Sequence, residues 1–412
     1  MSLEILTKTF VIIDLFCSLV AIPSPSLKED NLIGKILDIC KANNLPAKCD
    51  DYGNIIIKVP ATDISKKPIL LSAHMDVVGD DTPVNIVLKG DIIETDKKRT
   101  LGADDKAGVA AAIMLAIEVS KDKSLKHGGL EIVLTRDEET GMTGIKHVNM
   151  KNLNSEYVLV LDADKMGQVL VSGASFTKLT LNVETFIGGH SGIDIGDEKR
   201  LNAVKLLCEL GAEIPQGAYK KDEYGVLTSI NAGAIAGGAI KPAIDKIAQG
   251  AKVGDDVQDF IIENSITNII NKNAAILYSV RSNDSKAEKE LISLIENIVC
   301  KFNKKYEGLA KADLKKEIHV LPFEKSDDET IINVAKKAAK DVDIEPQISS
   351  FHAAAETHIY ANNVNKSGKK FKPVLIGVAD VYNMHSSDEK MDYKSYLKGY
   401  DFLKAMFMEF NK

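Results

Sequence analysis

The chain lacks a basic excess, a disulfide framework and any membrane-length apolar run, and each absence removes a class of function. Across 412 residues, 52 Lys and Arg stand against 59 Asp and Glu, a formal net charge of -7. That balance leaves no positive footprint for nucleic acid and none for a polyanionic substrate. The five cysteines (Cys17, Cys40, Cys49, Cys208, Cys300) are odd in number and widely spaced, with no Cys-x-x-Cys pair. Neither a disulfide scaffold nor a thiolate zinc site is indicated, and a reducing, cytoplasmic setting fits. No segment approaches the roughly 20 unbroken apolar residues of a membrane span. The nearest imitation is residues 9–22, whose apolar run and following Pro23-Ser24-Pro25-Ser26 mimic a secretory signal. Asp14 interrupts that run and only Lys8 precedes it against Glu4, so an amphipathic first helix stopped at Pro23 is expected.

What is present is an ordinary globular composition, 45% hydrophobic and 27% charged. The length exceeds that of a single core, so two domains are expected. A second helix is read over 27–44, a turn at Asp51-Tyr52-Gly53-Asn54, and strands over 55–59 and 68–73. A hairpin over 84–95 precedes an Ala-rich helix over 106–120, and further strands follow at 129–135 and 157–161. Strands alternating with helices imply an α/β fold with a mainly parallel sheet.

Chemistry-bearing residues sit where those strands end. His74-Met75-Asp76 closes the strand over 68–73, and the strand's two-residue period puts His74 and Asp76 on one side. One can hold a metal while the other takes the remaining ring N–H. Asp104 opens a helix, while Glu138-Glu139 and Asp162 follow strands. In a parallel α/β sheet such positions gather along the carboxyl edge, where these sheets place their sites. A single acidic strand end is usually a solvated turn or helix cap, but four that agree, two of them doubled acids, point to a site. A two-metal hydrolytic centre needs a bridging carboxylate, terminal nitrogen and oxygen ligands, and a free carboxylate that takes a proton from water. Adjacent Glu138 and Glu139 can divide the last two tasks, since neighbours on an extended chain point opposite ways.

In this order the motifs resemble the di-zinc exopeptidase family that includes peptidase T, aminoacyl-histidine dipeptidase, carboxypeptidase G and the aminoacylases. They are His74-x-Asp76, Gly102-Ala103-Asp104-Asp105-Lys106-Ala107-Gly108, Glu138-Glu139-x-Gly141, Leu161-Asp162-x-Asp164, Gly188-Gly189-His190-Ser191-Gly192 and His385-Ser386-x-Asp388-Glu389. The likeness spans nearly the whole chain and is greatest to the peptidase T and dipeptidase D branch. It implies two divalent ions, zinc first with manganese or cobalt as alternatives. By resemblance Asp104 bridges them, with His74 and Asp162 on one and Glu139 and His385 on the other. Asp76 would orient His74, Glu138 would be the general base, and a cis peptide would join Asp104 to Asp105.

The resemblance also implies a catalytic domain made of 1–174 and 325–412, interrupted by a lid over 175–324 through which the family usually dimerises. The lid pattern reads as β-α-β-β-α-β of the ferredoxin-like type, with strands expected near 225–234, 243–253, 274–281 and 317–321. Within it, by the same resemblance, His190 would stabilise an oxyanion and Arg281 would hold a substrate carboxylate in a forked contact. Read alone, they are a turn histidine and a solvated strand-end arginine. Glu356, in His352-Ala353-Ala354-Ala355-Glu356, matches an acidic position near the family's metals and is expected, with Arg281, among the substrate-binding residues. The chain departs from many relatives at Gly237-Gly238-Ala239-Ile240-Lys241-Pro242, where they carry a Gly-Gly-x-x-x-Asn segment, and 254–272 is longer than a plain hairpin.

The expected activity is hydrolysis of a small peptide at the amide next to one terminus, with no nucleic-acid or membrane partner. N-acyl-amino-acid deacylation by the same centre is the alternative. A two-metal phosphoesterase would want a glycine-rich loop with lysine, which is missing. A non-catalytic binding protein would be expected to have lost Glu138 or a ligand, and none is lost.

Overall fold

The computed structural model describes residues 2–222, 225–254 and 257–412. The chain divides into two compact units, Met1–Gly173 with Phe323–Lys412, and Ala174–Pro322.

The first unit is built on an eight-stranded sheet. Its order is Ala47–Cys49, Ile55–Val59, Leu130–Thr135, Ile69–His74, Tyr157–Val160, Lys372–Ile376, Gln168–Gly173 and Gln347–Phe351. The four middle strands, from Leu130–Thr135 to Lys372–Ile376, run parallel. All six residues of Ile69–His74 and of Leu130–Thr135 are buried, which explains why neither shows the apolar–polar alternation of a half-exposed strand. The helix Ala103–Lys121 packs on Ile69–His74 and is buried over most of its length, as its small, unbroken apolar surface requires. A four-stranded antiparallel sheet carries the expected hairpin, Ile86–Lys89 with Ile92–Thr95. At the amino end the chain forms two helices, Leu3–Thr9 and Val11–Val20, broken at extended Phe10. Asp14 lies on the exposed side of the second, the amphipathic arrangement its spacing predicts.

The second unit is a five-stranded antiparallel sheet ordered Gly217–Lys221, Leu227–Gly237, Asn273–Ser282, Phe176–Thr185 and Ala310–Val320. With the helices Ala203–Glu213 and Ser285–Lys305 its order is ferredoxin-like, extended by one short edge strand. The strand expected over 243–253 is instead the helix Lys241–Ala248. Pro242 suits the first helical turn, where a missing N–H costs nothing, and Ile244 and Ile247 repeat at helical rather than strand spacing. Of the long 254–272 stretch, residues 255 and 256 lie outside the described residues, and the rest includes the helix Val257–Glu263 and the short strand Ile269–Ile270.

Candidate metal centre

The parallel strands end at one edge, and their ends carry the acidic and histidine side chains. His74 is the last residue of its strand and only 2% exposed. Its Nε2 lies 3.0 Å from Asp104 Oδ1 and 3.7 Å from Asp162 Oδ1. Its Nδ1 faces Asp76, 3.4 Å from Oδ1 and 3.1 Å from the backbone carbonyl. The other oxygen of Asp104, Oδ2, lies 3.1 Å from His385 Nε2, which is also 3.1 Å from Glu139 Oε2. Asp104 therefore stands between two imidazoles, one carboxylate oxygen toward each.

Backbone conformation places these groups. The helix Ala103–Lys121 has non-helical torsions at Asp104 and Asp105, and the bond joining them is cis. The regular helix begins at Lys106, where the sequence pattern puts it. Asp105 turns inward: its Oδ1 accepts from Gly108 N–H at 3.1 Å and its Oδ2 from His74 N–H at 3.3 Å. Glycine is needed at 108, since a Cβ there would come within 2.3 Å of Asp105 Oδ1. Asp76 is fully buried and accepts the backbone N–H of Glu138 at 2.9 Å and of Glu139 at 3.1 Å. One carboxylate thus fixes both the His74 ring and the glutamate pair.

Two carboxylates that the sequence reading gave no role support the loops. Glu29 accepts Asp137 N–H at 2.9 Å on Oε1 and meets Arg136 NH2 at 2.7 Å on Oε2. Glu389 accepts Gly102 N–H at 2.7 Å, Asp104 N–H at 3.0 Å and the Thr100 hydroxyl. Glu389 ends a motif quoted for its histidine, whereas Glu29 carries no sequence signal, being one acid among many before a helix.

Electrostatics follow from this crowding. Burial, reinforced by Asp104, pushes Asp162 up to about 7, and burial lifts Glu139 to about 7 against the pull of His74. Burial also holds Glu138 well above the usual carboxylate range, with His74 opposing and Asp162, Glu356 and Glu139 adding to it. Asp104 goes the other way: burial would raise it, but hydrogen bonds from His385 and His74 outweigh that. Burial disfavours the His74 imidazolium, yet Asp104, Asp162 and Asp76 raise it well above its ordinary value, and the Asp104 bond brings His385 up to about 9.

The donor set fits a metal. Ligand atoms of His74, Asp104 and Glu139 lie within 4.8 Å of one another, as do those of His74, Asp105 and Asp162. Imidazole nitrogens mixed with carboxylate oxygens are the donors that zinc, manganese and cobalt take. Glu139 Oε1 is buried with no hydrogen-bond partner, an acceptor left for something other than a protein donor. A cleft of about 480 Å³ opens here, lined by His74, Glu138, Glu139, Asp162, His385 and Gln168, among others.

Three further expected residues stand outside this donor set. Glu356 is 1% exposed, its Oε2 accepting the Ser72 hydroxyl at 2.9 Å, behind the cleft-lining Ala353 to Ala355. His190 and Arg281 belong to the second unit. His190 is exposed in the short strand Gly189–His190, with Nδ1 accepting from Gly192 N–H at 3.1 Å. The Arg281 guanidinium sits 4.7 Å over the Phe176 ring.

A mainly parallel α/β sheet whose carboxyl edge gathers two histidines and several buried carboxylates has the donor set of a metal-dependent hydrolase. Residues 70–409 match Peptidase family M20/M25/M40, and the chain belongs to that family. It is 24% identical over 362 residues to the uncharacterized protein YqjE of Bacillus subtilis, covering 87% of this chain and 84% of that one. To the cytosol non-specific dipeptidase of Escherichia coli it is 28% identical over 311 residues, 66% of this chain and 61% of the relative. The crystal structure of aminopeptidase PepT from Bacillus cereus shares the fold, with a TM-score of 0.80 at 22% identity over 97% of this chain and 98% of that one.

Proposed function

We propose that this metallopeptidase is an exopeptidase that hydrolyses di- or tripeptides, and that its centre binds two divalent ions, zinc first. The observation that carries this reading is the placement of Asp104, with one carboxylate oxygen toward His74 and the other toward His385. Asp104 would bridge the ions, His74 and Asp162 would hold one, and Glu139 and His385 the other. When bound, the ions polarise the scissile carbonyl and lower the pKa of a water to about 7. Glu138, lining the same cleft, would act as the general base, taking a proton from the attacking water and returning it to the leaving amine. Asp76 keeps the His74 ring and the Glu138 backbone in register, so base and ligand move as one body.

In this proposal His190 supplies oxyanion stabilisation, Arg281 recognises a substrate carboxylate, and Glu356 supports the site through Ser72. The second unit acts as lid and dimer contact. A cytoplasmic location is supported by five free cysteines and by the dipeptidase relative named as cytosolic. Among the described residues, no helix is long and apolar enough to cross a membrane.

The test is a panel assay: metal-stripped protein reloaded with zinc or manganese, given an unblocked dipeptide, a tripeptide and an N-acetylated amino acid. Metal-dependent cleavage of the free peptides is the expected result. Cleavage of the acetylated compound alone would make the enzyme a deacylase instead.

A further inference from the structure

Gln168 opens the strand Gln168–Gly173, and its main chain is fully committed. Its N–H donates to the Lys165 carbonyl at 3.2 Å, and its carbonyl accepts from Gly377 N–H at 3.1 Å. The side chain differs: Oε1 is shut from solvent without a hydrogen-bond donor, although the residue lines the cleft that holds the metal-binding groups. A buried amide oxygen is costly to leave unpaired, so a ligand that brings a donor is favoured over one that does not.

Strand register says what lies beside that oxygen. Gln168 pairs with Gln347 and Leu170 with Ser349 in a parallel ladder, while Leu375 pairs with Leu170 in an antiparallel one. Side chains alternate along a strand and paired residues share a face, so Gln168, Leu170, Ser349 and Leu375 stand on one face of the sheet. Gln168, Leu170, Ser349 and Leu375 all line the cleft. The outcome is an apolar strip with an unpaired acceptor at its head.

Spacing sets the kind of group that reaches it. Asp162 follows Tyr157–Val160, and Gln168–Gly173 is the second strand beyond that one. Two strand spacings put Gln168 about 10 Å along the edge from Asp162. The α-amino or α-carboxyl group of a residue at the scissile bond lies within about one Cα step, 3.8 Å, less than the span between these strand ends. A long side chain on that residue spans the gap.

We propose that Gln168, with Leu170 and Leu375, forms a subsite for the side chain of a residue flanking the scissile bond, selecting a long apolar stem that ends in an N–H donor, as in glutamine or lysine. The inference rests on the peptidase reading above. A stem without a donor leaves Oε1 unpaired, and a carboxylate tip meets an acceptor where it needs a donor.

The experiment uses the metal-loaded full chain and dipeptides of alanine with glutamine, methionine or glutamate, in both orders. Methionine approximates glutamine in shape without its donor. In one order, kcat/KM for the glutamine peptide should exceed that for methionine, with glutamate last. Gln168→Leu should reduce the glutamine-to-methionine ratio by about five- to tenfold, a loss of one hydrogen bond. The isosteric Gln168→Glu, which guards against a folding defect, should move preference toward a lysine peptide. A ratio unmoved by both variants overturns the subsite and leaves the peptidase reading standing. Absence of any peptide cleavage by the loaded wild type overturns both.

Discussion

At the scale of single residues, the proposed mechanism separates holding the metals from proton transfer. Glu138 and Glu139 are neighbours and both line the cleft, yet it is Glu139 that reaches His385, at 3.1 Å. Glu138→Gln should therefore lower kcat by about 10²- to 10⁴-fold, the usual share of a general base, while metal content measured by elemental analysis stays at the wild-type level. Asp104→Asn should lose both, because its two oxygens face the two imidazoles. Retention of both metals by that variant would refute the bridging assignment. These positions were legible because His, Asp and Glu at strand ends advertise their chemistry in one-dimensional order. Gln168 was not, since an amide opening a strand looks like any other until burial exposes its missing donor. Asp76 was legible as a partner of His74, but its grip on the Glu138 and Glu139 backbone depends on two strand ends meeting in space.

At the scale of elements, the loop after Leu130–Thr135 is held as much from outside as by its own sequence. Asp137 has a φ of 56° and its N–H is taken by Glu29, which also binds Arg136. Glu29→Ala leaves that guanidinium without its buried partner and should cost about 3 kcal/mol of stability in denaturant unfolding. Because the loop carries Glu138, kcat should fall with it, and Glu29→Gln should recover part of the loss by keeping an acceptor for Asp137. An unchanged kcat in Glu29→Ala would mean that Asp76 alone positions the glutamates. The parallel strands and the Ala-rich helix were readable from period and length. Lys241–Ala248 was misjudged although Ile244 and Ile247 repeat at helical spacing, because a window of eight residues is too short for period alone to decide. The strands Gln168–Gly173 and Gln347–Phe351 were missed, being short and mixed in polarity, the second of them at the sheet's edge.

At the scale of the whole molecule, stability should depend on metal and on pH in separable ways. Stripping the ions removes a ligand that binds only the folded centre. At free metal a hundredfold above Kd, the loaded protein should melt about 5–10 °C higher than the stripped one. Far along the same sheet, Lys372 lies 2.6 Å from Asp328 and 2.5 Å from Glu156. Burial opposes the Lys372 ammonium, but Asp328 and Glu156 raise it, and Lys372 holds both carboxyls below their ordinary values despite burial. Depressed carboxyls stabilise above their unfolded pKa of about 4 and lose that contribution as pH falls through the folded values. The raised lysine contributes below its unfolded pKa of about 10.4 and loses it as pH rises through the folded value. Lys372→Met should therefore lower Tm most between about pH 5 and 10, with the difference shrinking toward both extremes. A pH-independent gap would assign the loss to packing instead.

The order in which the ribosome releases these parts has its own consequence. Lys372–Ile376 fills the place between Tyr157–Val160 and Gln168–Gly173, yet it emerges nearly two hundred residues after Gln168–Gly173, just ahead of His385. Throughout that interval the nascent sheet carries a gap with unpaired strand edges, and the Asp104 Oδ2 side of the centre lacks its histidine. A growing chain of this design is exposed to strand capture by other chains until Lys372–Ile376 fills the gap.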